Sequence, residues 1–295
     1  MSAMTGIDRF VFTVSTGRCG QASLTQLVRA HAHGCYAAFE EPAIKPVFPG
    51  KLEPLERRFR RQFFETHELL GRGRVLKAYS EGDRAYIEAI AARRLERIHR
   101  KLPRAGAHIY FDISKFFARG LYVGFAKALD EYALVNLVRD PIENMRSYLN
   151  RNKTFTLDNN LPDASGNILR MKSSGMEKGE LYLWSWFEMN LRFDELRQSP
   201  KVTHSVEIRT TDLNDASRMN TAFAVLALDH SPVIPQPPHN TNRERGLALT
   251  DPSPQDIELF ERFIDRVPKD LYRRISYLEG YDPWDVHKVT QVAAQ

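Results

Sequence analysis

The chain reads as an α/β protein with a central parallel sheet flanked by helices, and three observations predict this. Residues 10–14 are a β-branched and aromatic run that passes through a small-residue loop into helically spaced Leu24, Leu27 and Val28. Residues 133–138 are a mostly apolar run, the composition of a buried parallel strand, and they too lead into a helix. Elsewhere strands alternate with helices, the order that builds a parallel sheet with right-handed crossovers.

The first junction, Ser15-Thr16-Gly17-Arg18-Cys19-Gly20, has the arrangement that cradles phosphate. Backbone N–H groups of such a loop and of the first helical turn point at one spot, where the helix dipole favours an anion. A nucleotide-triphosphatase P-loop follows its last glycine with Lys-Ser/Thr, whose hydroxyl holds magnesium. Here Gln21 and Ala22 follow Gly20, and the cation comes earlier, at Arg18. The pattern predicts an anion held without a metal, by N–H groups and a guanidinium. The bland alternative is an ordinary strand-turn-helix.

The second junction places Asp140 as N-cap, Pro141 at the first helical position and Glu143 to complete a capping box. Arg139 then stands at the carboxyl end of its strand, and Ser147 lies two turns down the helix near the face of Asp140. Ligands of open parallel sheets bind outside those carboxyl ends.

Between the junctions, residues 35–48 contain closely spaced prolines and read as irregular. Residues 55–70 read as a basic amphipathic helix, with Phe59, Phe63 and Phe64 inward and Arg57, Arg58, Arg60 and Arg61 solvated. Residues 75–79 read as a short strand, 83–102 as a long helix ended by Pro103, 108–113 as a strand and 116–129 as a helix. The polar stretch 152–179 reads as a substrate-side lid or a surface insertion within one domain spanning 1–295. A helix at 180–196 carries Trp184, Trp186 and Phe187 close together, the two tryptophans reading as core rather than as a platform for a ligand base. A late strand (202–208), a helix (213–228), a proline-rich loop (232–245) and a helix starting at Ser253 complete the chain. His31 and His33 read as structural.

Together the two junctions resemble the sulfotransferases that use 3′-phosphoadenosine-5′-phosphosulfate (PAPS). STGRCGQASL is similar to the family's 5′-phosphosulfate loop, and RDPIENMRS to its 3′-phosphate motif, with Arg139 and Ser147 eight positions apart. LYLWSWFEMNLRFDEL and VEIRTTDLND resemble the helix and the late strand that follow. The resemblance implies a P-loop-NTPase-like sheet and transfer of a sulfuryl group from PAPS to a hydroxyl or amine, leaving adenosine 3′,5′-bisphosphate (PAP). The acceptor is a carbohydrate, a lipid or a small metabolite. The family's Lys-Ser-Gly-Thr-Thr is Arg18-Cys19-Gly20-Gln21-Ala22 here, which leaves more of the binding to the backbone and Ser23.

Carried over residue by residue, Arg18 and the N–H groups of Cys19, Gly20, Gln21, Ala22 and Ser23 hold the phosphosulfate, and Arg139 and Ser147 the 3′-phosphate. Arg245 and Gly246, in NRERG, are similar to a late contact to that phosphate. Glu41, just before Pro42, matches the family's carboxylate base; Glu40, Asp112 and a histidine are the alternatives. Lys115, after the strand at 108–113, is placed to assist the leaving phosphate if that strand lies beside the first.

Charge and composition fit this reading. There are 42 Lys and Arg against 37 Asp and Glu, a mild excess of +5 that attracts an anionic cofactor without being a nucleic-acid signature. The two cysteines, one in the anion loop, suggest a reducing compartment, and no run reaches the roughly 20 apolar residues of a membrane helix. The expectation is a cytoplasmic protein without stable membrane insertion, with homo-oligomers left open. No Cys, His, Asp and Glu set has metal-ligand spacing. Two rivals remain: a metal-dependent nucleotide kinase, and a non-catalytic module binding nucleic acid or another polyanion through Arg57–Arg61.

Overall fold

The computed structural model describes residues 7–42, 52, 55–56, 59, 66–150, 161–235 and 250–279. Five strands form one all-parallel sheet: β1 (Arg9–Val14), β2 (Cys35–Phe39), β3 (Ile109–Ile113), β4 (Tyr132–Val138) and β5 (Val202–Arg209). Their spatial order is β2-β3-β1-β4-β5. The helices are α1 (Gln21–His31), α2 (Thr66–Leu69), α3 (Arg74–Glu81), α4 (Arg84–Lys101), α5 (Tyr122–Ala128), α6 (Pro141–Leu149), α7 (Lys178–Leu196), α8 (Ala216–Val225), α9 (Pro254–Ile264) and α10 (Lys269–Arg273).

Alternation along each strand divides the core between two faces. Phe10, Phe12, Tyr110 and Leu134 pack against α4, α5 and the Met189 and Phe193 side of α7. Val11, Phe111 and Val135 face the other way, onto Leu24, Leu27 and Val28 of α1 and Met219 and Phe223 of α8. The helix after β1 therefore covers one face, while α5 after β3 and α7 after β4 cover the other. That divergence opens a crevice at the carboxyl end of β1, where an open parallel sheet binds its ligand.

The structure corrects several sequence expectations. Residues 75–79 lie within α3, not a strand; Leu76, Lys77 and Ala78 favour helix, and Val75 is the one β-branched residue of the run. The segment read as irregular begins with β2, an edge strand paired with β3 from Cys35 to Phe39, because the proline breaks start only at Pro42. The helix expected over 116–129 is a 3-10 turn (Phe117–Arg119) and then α5, with Gly120 between them. The helix expected from 213 starts later, because Asp215 accepts the Arg218 N–H as N-cap. Phe59 is 56% exposed rather than turned inward, and the four arginines near it lie outside the described residues.

Trp184 and Trp186 are core, as read, and Phe187 is buried with them. The polar stretch is described from 161 onward, and there it is clamped to α7. The buried Glu188 accepts the N–H groups of Ile168 (3.1 Å) and Leu169 (2.8 Å), and Trp184 Nε1 donates to Leu169 O (2.7 Å). Arg192 pairs with Glu188 (2.7 Å) and reaches Asn167 Oδ1 (2.8 Å). Residues 151–160 lie outside the described residues. No described helix is long and apolar enough to cross a membrane.

The start of α9 is the predicted capping box, and it is tied to α6 by charge. Asp256 accepts from Ser253 N (2.7 Å) and Arg146 Nε (2.8 Å). Burial pushes the Asp256 pKa up, but the bonds from Arg146 and Ser253 outweigh it and hold the group below its ordinary 3.8. A depressed carboxyl pKa contributes stability that is present above the unfolded value and lost as pH falls through the folded one. Denaturant unfolding between pH 5 and pH 2, chosen to span about that window, should therefore lose stability on acidification. Asp256→Asn should be less stable at neutral pH and show a shallower loss.

Candidate functional site

The loop after β1 has an unusual backbone. Gly17 (φ 97°), Arg18 (φ 63°) and Gly20 (φ 90°) are all left-handed. Glycine adopts this region freely, but Arg18 does so at a cost of about 1–2 kcal/mol. Side chains from four other elements hold it there. Asn144 of α6 accepts from Thr16 Oγ1 (2.9 Å) and donates to Gly17 O (3.1 Å). The Tyr182 hydroxyl of α7 lies 2.8 Å from Gly17 O and 2.9 Å from Asn144 Oδ1. Arg119, after β3, donates to Thr16 O (3.2 Å). Thr210, after β5, lies 3.1 Å from both Cys19 O and Val138 O and so ties the loop to the end of β4.

These contacts orient the amides. In a trans peptide the C=O and the following N–H point in opposite directions. Carbonyls of Thr16, Gly17 and Cys19 that face Arg119, Asn144 or Tyr182, and Thr210 turn the N–H groups of Gly17, Arg18 and Gly20 the other way. The start of α1 adds to them. Gly20 is its N-cap, no side chain caps it, and its first turn has no acid. By contrast α4, α6 and α8 are capped by Asp83, Asp140 and Asp215. The N-terminal N–H groups of α1 have no partner within the helix, and the positive end of its dipole lies here.

Cations gather around the loop. Lys115 follows β3, which pairs directly with β1. A Cβ added to Gly17 would lie 3.0 Å from Lys115 Cδ and 3.8 Å from its Nζ, so the lysine stem crosses the loop where only glycine leaves room. Arg18 and Ser23 are half-buried at the loop and the first turn. Gln21 is buried, and its amide donates to Ser15 Oγ (3.0 Å), closing the loop's two ends. The Cys19 thiol is buried 3.2 Å from Gly17 O. Burial pushes its pKa up and the charge of Arg139 pulls it down; the net rise keeps it a protonated donor.

Arg139 stands at the end of β4 with its carbonyl held by Trp186 Nε1 (2.9 Å). Its guanidinium meets Glu143 at 3.1 Å. The capping box expected at Asp140 is therefore open: Asp140 accepts from the N–H groups of Ile142 and Glu143, while the Glu143 side chain turns to Arg139. Ser147 is half-buried on α6, one turn beyond Asn144. Arg245 and Gly246 lie outside the described residues.

The carboxylates separate. Glu41 accepts from the Tyr36 hydroxyl (2.9 Å), pairs with Lys101 and is turned back along β2. Glu40 is left-handed (φ 46°) and half-buried, and its charge is felt at Arg119 beside the loop. Asp112 does not open onto the crevice; it is fully buried and paired with Arg94 at 2.5 Å. His31 is structural, with Nδ1 3.2 Å from Ser231 Oγ.

Sequence reasoning missed Asn144, Tyr182, Arg119 and Thr210. Asn144 had a detectable signal: a polar residue one helical turn beyond the N-cap, in the middle of RDPIENMRS. Comparison with protein-family models, curated proteins and solved structures finds no match for this chain. The functional reading accordingly stands on the two motifs and on the geometry they form.

Two consequences can be tested. Asn144→Ala leaves the buried Thr16 hydroxyl and the Gly17 carbonyl short of a partner. It should cost about 1–3 kcal/mol in urea unfolding and weaken any anion bound at the loop. Gly17→Ala meets both the left-handed φ and Lys115, and should weaken that anion with a smaller loss of stability.

Proposed function

We propose that the chain is a sulfotransferase, moving a sulfuryl group from PAPS to a hydroxyl or amine of a carbohydrate, lipid or small metabolite. The observation that carries the reading is the pairing of two cationic junctions at one crevice. Lys115 crosses the glycine loop at Gly17, and Arg18 is half-buried within that loop. Thr210 bridges the two junctions, 3.1 Å from both Cys19 O and Val138 O, and Arg139 follows Val138 directly. Two neighbouring anion subsites suit a ligand with two separated anionic groups, as PAPS and PAP have. Amide N–H groups and cationic side chains also suit oxyanions better than a metal ion.

On this reading Arg18 and the N–H groups of Cys19, Gly20, Gln21, Ala22 and Ser23 orient the sulfonate. Arg139 and Ser147 hold the 3′-phosphate and so select against AMP and ATP. The acceptor oxygen or nitrogen bonds to sulfur as the sulfur–bridging oxygen bond breaks. Lys115 and the loop stabilise the charge left on PAP. A carboxylate of the Glu40-Glu41 pair takes the acceptor's proton. Glu41 must leave Lys101 to do so, and Glu40 need not.

Calorimetric titration with PAP beside AMP tests the reading. The wild type should prefer PAP. Arg139→Ala should weaken PAP about 10- to 100-fold, the value of one charge-assisted contact. Equal affinity for PAP and AMP sinks the sulfotransferase reading, and preferential binding of ATP with magnesium favours phosphoryl transfer instead. Among the acids, Glu40→Gln should slow release of PAP from PAPS at unchanged PAP affinity. Loss confined to Glu41→Gln would return the base to Glu41.

A further inference from the structure

We propose that Glu143 is an internal competitor for the phosphate bound by Arg139, and that it sets the affinity of that subsite. The proposal rests on the sulfotransferase reading and adds a determinant of how tightly the 3′-phosphate is held.

Both Nε and Nη2 of Arg139 approach the same oxygen, Glu143 Oε2, at 3.1 Å. That edge carries the two parallel N–H bonds with which a guanidinium grips a phosphate. An incoming phosphate must therefore displace Glu143 or accept the outer edge alone, and in either case it meets a carboxylate beside it. Displacement is easy. The side chains of Arg139 and Glu143 are 30% and 52% exposed, and half-exposed pairs of this kind are weak. Glu143 is not needed to locate Arg139, because Trp186 Nε1 fixes the Arg139 carbonyl (2.9 Å) and Arg139 immediately precedes the capped start of α6. The same phosphate is present on donor and product, so a moderated grip eases product departure, a step that often limits turnover.

The test is a double-mutant cycle read by calorimetry with PAP and AMP as probes, on wild type, Glu143→Gln, Arg139→Ala and the double variant. Glu143→Gln should tighten PAP about threefold or more and leave AMP unchanged. The gain should vanish when Arg139 is absent. Glu143→Ala, which brings no amide of its own, should give a gain of the same sign. Unchanged or weakened PAP binding in Glu143→Gln overturns the proposal, as does an equal gain for AMP or a gain that survives Arg139→Ala. A wild type that does not prefer PAP over AMP fails at the earlier step and removes the sulfotransferase reading itself, this proposal with it. A preserved preference with no gain removes only the role of Glu143.

Discussion

The glycine loop depends on bonds made to its carbonyls. A run of left-handed residues is not self-sustaining, since Arg18 has every steric reason to leave that region. It persists because Arg119, Asn144, Tyr182 and Thr210 accept no alternative: released, the Thr16, Gly17 and Cys19 carbonyls would be buried without donors. These side chains come from β3, β4 and β5 or the helices behind them, so the loop's shape is a property of the whole sheet. The strain stored at Arg18 is of the kind that accompanies preformed sites, where amides are aimed before a ligand arrives.

Ion pairs divide by burial into two kinds of work. Arg94–Asp112 and Arg192–Glu188 are almost fully enclosed, and removing one partner of such a pair strands the other at a cost of about 3–5 kcal/mol. They fix α4 to β3 and clamp the segment after residue 161 to α7. Arg139–Glu143 and Lys101–Glu41 are half-exposed, and their partners can exchange for water or a ligand at small cost. These two pairs lie at the carboxyl ends of β4 and β2. The two enclosed pairs are thus locked, and the two at the rim are left to respond.

Much of the architecture was legible because it depends on local signals. The β1 and β4 runs, the Asp140-Pro141 start and the Ser253 box are each encoded within about a turn or a strand of chain. What was not legible depends on tertiary partners. β2 is Ala-rich and strand-forming only through its pairing with β3. Asp112 has the look of a rim acid until Arg94, eighteen residues away, encloses it. Tyr182 sits in an apolar run whose hydroxyl has a purpose only once Gly17 O lies opposite. The site's cations stood in the sequence, but of the side chains that shape the loop only Asn144 carried a local signal.

The position of β2 bears on which acid serves the proposed chemistry. Phe39 aligns with Ile113, and Phe12 with Asp112, so β3 separates the end of β2 from the end of β1. Two inter-strand spacings make that gap roughly 9–10 Å. A line from loop N–H to sulfonate, from sulfur to acceptor, and from acceptor proton to carboxylate needs three contacts of about 3 Å each. An acid at the end of β2 therefore starts about that span from the end of β1, whichever acid it is. The φ of 46° at Glu40 then makes the two differ, since the kink it introduces parts adjacent side chains. Glu41 goes back along the strand to Tyr36 and Lys101. Glu40 does not share that pairing, and its charge acts on Arg119, which donates to Thr16 O. Position before a proline favours Glu41, while its pairing with Lys101 favours Glu40 as the base of the proposed reaction.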